Sequence, residues 1–422
     1  HIERAGVLRA LGAAVARRSE DLAQIWPRQS GVLYSMAQSA GPGAQATLNG
    51  YADLASTFEF ESPANPSNGG GFGLLVREPV GVVGAIIPWN GPMMLIAHKV
   101  GPALLAGCTV VLKLSPEAPG EGYVVAEAAE EIGLPPGVLN VVTADRDISE
   151  LLVTDPRVDK ISFTGSTAAG RRIASLCGER IARCTLELGG KSAAIVLDDA
   201  DLATAAAKLA AAECRVSGQV CASLTRIIVS AQRHDEMVEA LAHEFRKVNV
   251  GNPFDPDVGI GPLATSRQRD RVEGYIAAGL GAGATLAAGG GRPGHLDRGW
   301  FIEPTVFGHV ESSMRIAQEE IFGPVLTVIP ADDEADAVRI ANDTIFGLNA
   351  AVFTNDVDHA RDIAGRLRSG TVGHNGHRTD FDIGFGGFKQ SGLGREGGQQ
   401  GLLAYLESKT ILLDGPPSRW AD

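Results

Sequence analysis

The chain has 422 residues, 44% of them hydrophobic and 21% charged, a composition of globular rather than disordered proteins. Its 37 basic and 50 acidic side chains leave a net charge of −13, which excludes the broad basic face that nucleic-acid or anionic-membrane binding requires. The length suits two or three domains, and 53 glycines without a Gly-X-Y period belong in turns and close backbone approaches.

Apolar residues at helical spacing (Ala5, Leu8, Leu11, Val15) predict a helix over 3–25. Ser62–Gly73, rich in Pro, Asn and Gly, reads as a ribbon or linker leading into Leu74–Val76. Strands are predicted at Val80–Pro88, Thr109–Leu114, Val138–Val142 and Lys160–Thr164, with helices at Pro92–Ala106, Gly120–Ile132 and Thr167–Leu176 between them. Strands alternating with helices of this length mean βαβ units and a parallel sheet. The second half repeats the theme. Strands are predicted at Ala193–Leu197, Arg226–Ser230, Pro324–Ile329 and Ala350–Phe353, with helices at Leu202–Cys214, 234–248, 266–280 and 333–342. The expectation is two α/β domains joined near Glu187–Lys191. The tail Leu403–Leu413 ends in a strand pattern, Lys409–Leu413, read as a subunit contact because an exposed apolar edge needs cover. The longest apolar stretches, Val80–Trp89 and Val100–Leu112, are too short or too interrupted to span a bilayer. Five cysteines without a paired framework fit a reducing compartment.

A few residues carry chemistry. Cys221, between Ser217-Gly218-Gln219-Val220 and Ala222-Ser223, has small neighbours and an approachable sulfur. It is either a nucleophile or a small buried hydrophobe. Glu187, in Leu186-Glu187-Leu188-Gly189-Gly190-Lys191, is a carboxylate among leucines. It serves either as a general base with a raised pKa or as the salt-bridge partner of Lys191. Phe163-Thr164-Gly165-Ser166 ends a strand and opens a helix, a place for a phosphate or simply an N-cap. Asn90, after Pro88-Trp89, is an oxyanion donor or a turn residue. Lys113 is a lone cation ending an apolar strand. His374 and His377 lie three apart without partners, so no metal site is expected. Cys108, Cys177, Cys184 and Cys214 lie in apolar or helical stretches and read as structural.

Taken together, these segments are similar to the NAD(P)-dependent aldehyde dehydrogenase superfamily. The matching pieces, in order, are Pro88-Trp89-Asn90, Lys113-Leu114-Ser115-Pro116-Glu117, Phe163–Ser166, Glu187–Lys191, Gly218–Cys221, Glu320-Ile321-Phe322-Gly323-Pro324 and Phe385–Gly392. The resemblance implies a Rossmann-like cofactor domain (1–60 and 80–189), a catalytic domain (190–402) and a small bridging β unit (61–79 and 403–422). It implies a cytoplasmic homodimer or homotetramer acting on a small-molecule aldehyde, with neither nucleic acid nor membrane as partner. By resemblance, Cys221 attacks the aldehyde, Asn90 and the Cys221 N–H hold the oxyanion, and Glu187 activates the water that hydrolyses the thioester. Pro88, Trp89, Lys113, Gly165, Ser166, Leu188, Gly189, Glu320 and Phe322 are implied cofactor contacts, and Trp89, Val220, Ala222 and Phe385 implied substrate contacts. The loop His374–Phe385 is expected at the tunnel mouth.

Some positions depart from the family pattern. Pro116 stands where the family often has Glu, with Glu117 displaced by one, so NAD is only the leaning over NADP. Val216 stands for an Asn and Gly384 for a Pro, and an N-terminal segment of about 50–60 residues is expected to be missing by the family's typical length. The competing readings are a CoA-acylating relative and a non-catalytic NAD-binding paralogue. Retention of Glu187 favours water over CoA, and the presence of both nucleophile and base favours an enzyme. The sequence selects no aldehyde class.

Overall fold

The computed structural model describes residues 1–67, 69 and 71–421. It opens on helices α1 (Ile2–Arg17), α2 (Ser19–Ser30), α3 (Tyr34–Ala37) and α4 (Ala40–Thr57). The single helix expected over 3–25 is therefore two, divided at Arg18, whose φ of −97° and ψ of 19° leave the helical region. α2 stops at Gly31, which takes the left-handed conformation that caps many helices (φ 75°). α4 carries Gly41, Pro42, Gly43 and Gly50, poor helix formers that hide it in the sequence. It forms because Leu48, Tyr51 and Ala52 bury one face against neighbouring helices.

Next come β1 (Glu61–Ala64) and β2 (Phe72–Pro79), an antiparallel ribbon with Glu61 opposite Val76. Asn68 and Gly70, within the expected ribbon, and Asp422 at the tail lie outside the described residues. The chain then winds through β3 (Val82–Ile86), α5 (Pro92–Ala106), β4 (Thr109–Leu114), α6 (Gly120–Glu131), β5 (Leu139–Thr143), α7 (Arg146–Thr154), β6 (Lys160–Thr164), α8 (Thr167–Glu179) and β7 (Arg183–Glu187). These strands form one parallel sheet in the order β7-β6-β3-β4-β5. Local rules set the helix ends. Pro92 at the first position and left-handed Gly107 past the last frame α5, and Asp145 and Ser166 cap α7 and α8. Five predicted elements, Pro92–Ala106, Thr109–Leu114, Lys160–Thr164, Leu202–Cys214 and Arg226–Ser230, occur at the predicted bounds.

A second sheet follows, built from β8 (Ala193–Val196), α9 (Leu202–Cys214), β9 (Arg226–Ser230), α10 (His234–Arg246), α11 (Ser266–Gly281), β10 (Thr285–Ala288), β11 (Thr305–Gly308), β12 (Val325–Ala331), β13 (Asn349–Phe353) and β14 (Thr371–His374). Its order is β10-β11-β12-β9-β8-β13-β14, parallel except for β10. Every residue of β8 and β13 is buried, which explains why these strands read as continuous apolar runs. Two late strands return to earlier ones. β15 (Gly392–Leu393) pairs antiparallel with the end of β7, and β16 (Leu406–Leu413) pairs antiparallel with β2. Among the described residues no helix is long and apolar enough to cross a membrane.

α6 begins with a buried acid. Glu121 has no exposed surface and neither carboxyl oxygen has a hydrogen-bond partner. Burial pushes its carboxyl from the ordinary 4.5 up to about 8. Between those values the folded chain holds a proton that the unfolded chain has released, so stability falls as pH rises through the window. Glu121→Gln should therefore raise Tm relative to the parent at pH 8, with the gain vanishing near pH 4.5. Thermal melts across that range check it.

Candidate active site

A parallel sheet presents its ligand site beyond the carboxyl ends of its strands, where loops and helix N-termini converge. Here the loop after β3 carries Pro88, Trp89 and Asn90, the end of β4 carries Lys113, the loop after β6 carries Gly165 and Ser166, and β7 ends on Glu187. All of these line one cavity of about 510 Å³, together with Leu188, Val220, Cys221, Ala222, Glu320, Phe322 and Phe385. Of the sequence-predicted site residues, Gly189 alone is off the wall. It packs behind Glu320, where a Cβ would stand 2.6 Å from the carboxylate.

The cysteine sits after a strained turn. Val216, Ser217 and Gly218 all have positive φ (51°, 55° and 72°). For a β-branched valine this conformation costs on the order of 1–3 kcal/mol. Gln219, fully buried, locks the turn: its Nε2 donates to Val216 O at 2.9 Å and its Oε1 accepts from Ala264 N at 3.0 Å. Asn90 Nδ2 donates to Gln219 O at 2.9 Å, which fixes the amide beside the cysteine loop and leaves its second N–H available. The Cys221 backbone N–H has no protein acceptor among the described residues. Burial first, then the Glu320 and Glu187 carboxylates, push the Cys221 thiol up to about 12.

Glu187 is 3% exposed, and neither oxygen has a hydrogen-bond partner, so the salt bridge to Lys191 weighed from sequence does not form. Burial raises its pKa well above the usual carboxylate range. The Glu396 charge adds to that rise, while Lys99 and Arg395 oppose it. Glu396 and Lys99 form a buried ion pair, with Ser162 accepting from Lys99 Nζ at 3.2 Å. This pair was not read from the sequence. Its signal was present: Lys99 stands inside Pro92–Ala106, a helix otherwise free of Lys, Arg, Asp and Glu.

Elsewhere on the cavity lining, Lys113 is buried, and burial lowers its pKa. Ser115 donates to Glu117, and Arg267 on α11 donates to the same carboxylate at 2.9 Å. The displaced Glu117 thus lies on the cavity wall with Lys113 and Ser115. The α8 N-terminus offers amides and a dipole beside Gly165, with Ser166 Oγ accepting from Ala169 N at 3.3 Å. Gly190 N donates to Glu320 Oε1 at 3.1 Å, and burial pushes that carboxyl up to about 7. The Phe322 ring meets Trp89 edge-on at 5.5 Å. A cation, two carboxylates and a helix N-terminus along one crevice suit the ribose hydroxyls and pyrophosphate of a dinucleotide.

The predicted loop does reach the cavity, through His377, Thr379, Phe381 and Phe385. Phe381 stacks between His98 and Phe385 at 4.3 Å on each side, and burial keeps His98 neutral by pushing its pKa down to about 3. Away from the cavity, His234, Asp235 and His309 bring three donor atoms within 4.8 Å of one another. His309 N donates to His234 Nε2 at 2.9 Å, so His234 Nδ1 carries the proton shared with Asp235 and has no lone pair for a cation. All five cysteines are free thiols.

The comparisons with known proteins agree with one another. The sequence matches the model of the Aldehyde dehydrogenase family across residues 1–411. It is 48% identical to geranial dehydrogenase of Castellaniella defragrans over 98% of this chain and 86% of the relative. It is 45% identical to 3-succinoylsemialdehyde-pyridine dehydrogenase of a Pseudomonas species over 80% of this chain and 71% of the relative. Its fold superposes with TM-score 0.95 on a Mycobacterium tuberculosis aldehyde dehydrogenase complexed with NAD+, 43% identical over 98% of this chain and 85% of that one. Aldehyde dehydrogenase C from Pseudomonas syringae, a mutant complexed with NAD+ and octanal, gives 0.94 at 39% identity over 99% and 85%. The chain belongs to the aldehyde dehydrogenase family and is an oxidoreductase that converts an aldehyde to a carboxylic acid.

Proposed function

We propose that Cys221 is the nucleophile, Asn90 with the Cys221 N–H the oxyanion site, and Glu187 the general base of an NAD-dependent oxidation of neutral, apolar aldehydes. The observation that carries this reading is the meeting of these three residues on one wall, with Asn90 tied to Gln219 two residues before the cysteine. The Cys221 thiol gives its proton to solvent, the sulfur adds to the carbonyl carbon, and the two N–H donors take the charge that develops on the carbonyl oxygen. Lys113, Ser115, Glu117, Gly165, Ser166, Glu320 and Phe322 hold the dinucleotide, which when bound supplies the hydride acceptor. The acyl group is left on sulfur as a thioester. Glu187, in its ionised form, takes a proton from water, and the hydroxide so formed releases the acid. A carboxyl whose pKa burial raises is a stronger base than an exposed one, which suits that role.

Glu117 supports NAD over NADP. A carboxylate on the wall with Lys113 accepts from ribose hydroxyls and repels a 2′-phosphate. The substrate reading rests on the wall nearest Cys221. Trp89, Met94, Val220, Phe381 and Phe385 are apolar, Glu396 is neutralised by Lys99, and Arg215 stands on the wall. The Arg215 cation on the wall repels a quaternary ammonium substrate, and the apolar faces suit an uncharged one. Geranial and octanal, named for two of the relatives, have the chemistry that fits. Five free thiols favour a cytoplasmic protein, and the exposed edge strand β16 favours a homodimer or homotetramer. The division into a cofactor domain (1–60 and 80–189), a catalytic domain (190–402) and a bridging unit is part of the same proposal.

Cys221→Ala should abolish NADH formation and leave NAD+ affinity nearly unchanged; stopped-flow and titration check both. Glu187→Gln should retain a single-turnover burst of NADH while steady turnover falls roughly 10²-fold or more, because a base of this kind contributes about that factor. Iodoacetamide alkylation of Cys221, followed by peptide mass mapping without cofactor, should quicken as pH rises toward 12 and run several-fold faster in Glu320→Gln at pH 8. With NAD+, kcat/KM for octanal or geranial should exceed that for betaine aldehyde by roughly 10²-fold, the scale at which a site with mismatched polarity discriminates.

A further inference from the structure

The end of α2 reaches both halves of the oxyanion site without touching the cavity. Ser30 is fully buried, and its Oγ donates to Trp89 O at 2.7 Å, on the residue directly before Asn90. Gly31 sits flush against the segment that holds the cysteine turn. A Cβ on Gly31 would stand 2.2 Å from Pro262 O, and one on Gly261 would stand 2.0 Å from Gly31 O. Gly261 O in turn accepts from Ser217 Oγ at 2.9 Å, within the left-handed turn four residues before Cys221. The circuit closes through Asn90 Nδ2 and Gln219 O. Ser30, Gly31, Ser217 and Gly261 are all absent from the cavity wall.

We propose that Ser30 and Gly31 form an alignment pin that fixes the distance between Asn90 and the Cys221 backbone, so that both donors meet one oxygen. The proposal rests on the reading of Asn90 as an oxyanion donor. Ser30 and Ser217 are positioning residues, acting through Asn90 and the cysteine turn respectively. The physical reason is geometric. The cysteine turn is locked internally by Gln219, and the Asn90 loop is fastened to α2 by the Ser30 hydroxyl. The Gly31 backbone contact and the Asn90–Gln219 bond connect these two pieces around the ring. Removing the Ser30 hydroxyl leaves the Trp89 carbonyl without its partner and frees the 89–90 peptide to rotate. A donor displaced by about 1 Å from the developing oxyanion loses much of its effect, and misplacements of that size cost up to about 10²-fold in rate.

The test uses the full chain with saturating NAD+ and octanal, comparing Ser30→Ala, Ser217→Ala, Asn90→Ala and the Ser30→Ala/Asn90→Ala pair. Ser30→Ala should lower kcat roughly tenfold while KM and NAD+ affinity stay within about twofold of the parent. In the Asn90→Ala background the same change should cost less than about twofold, because the group it positions is gone. A parental kcat in Ser30→Ala overturns the pin, as does an equal loss in both backgrounds or a fall in NAD+ affinity that accounts for the loss. Should Ser30→Ala not fold, Ser217→Ala enters the same ring from the other side, and its kcat is read by the same criteria. Parental kcat in Asn90→Ala would instead refute the oxyanion reading beneath the proposal, a result distinct from failure of the pin.

Discussion

The molecule is organised around the place where the chain first crosses between its two sheets. β7 ends on Glu187, and β8 begins at Ala193 in the middle of the second sheet. The short link is tied down by Ser391, which is fully buried. Leu188 N donates to Ser391 O at 2.9 Å, Ser391 Oγ donates to Gly189 O at 2.7 Å, and Gly347 N donates to that same Oγ at 2.9 Å. The groups that meet in the cavity lie on either side of this knot. Asn90, Lys113 and Ser166 come from the first sheet and Cys221 and Glu320 from the second, so the geometry of the crossing sets the distances between them.

Such a site tolerates little charge without compensation. Lys99 and Glu396 are both buried and answer each other, with Ser162 and Tyr405 adding hydroxyls to the cluster. Removing either charge would strand the other in a medium that solvates it poorly. Glu187 has no such partner, and burial raises its pKa well above the usual carboxylate range. The contrast between a paired carboxylate and an unpaired one a short distance away is how two glutamates acquire different chemistry.

Much of this was legible in the sequence for reasons of pattern. Strands buried on both faces produce apolar runs, and helices flanked by Pro92, Gly107, Ser166 and Asp201 announce their ends. The motifs around Asn90, Glu187 and Cys221 stood out because polar side chains among Gly and apolar residues need a reason. What escaped had weaker local signals. α4 is built on poor helix formers and exists through tertiary packing. Ser30 is an ordinary helix-end serine until its distant partner, Trp89, is placed beside it. Glu396 and Lys99 lie 297 positions apart, beyond the reach of any periodicity. The His98–Phe381–Phe385 stack likewise joins α5 to a late loop.

The pairing of β2 with β16 bears on how the chain reaches this state. Lys409 and Glu78, joined across that pair, are separated by 331 positions. On the ribosome β2 emerges beside β1 and, among the described residues, its other side waits for β16, some 331 positions later. Contacts of such sequence separation close late, since a long loop must be ordered before they return any stabilisation. The last strand therefore acts as a seal on assembly, and during synthesis the open edge of β2 is where the nascent chain is most exposed to pairing with the wrong partner.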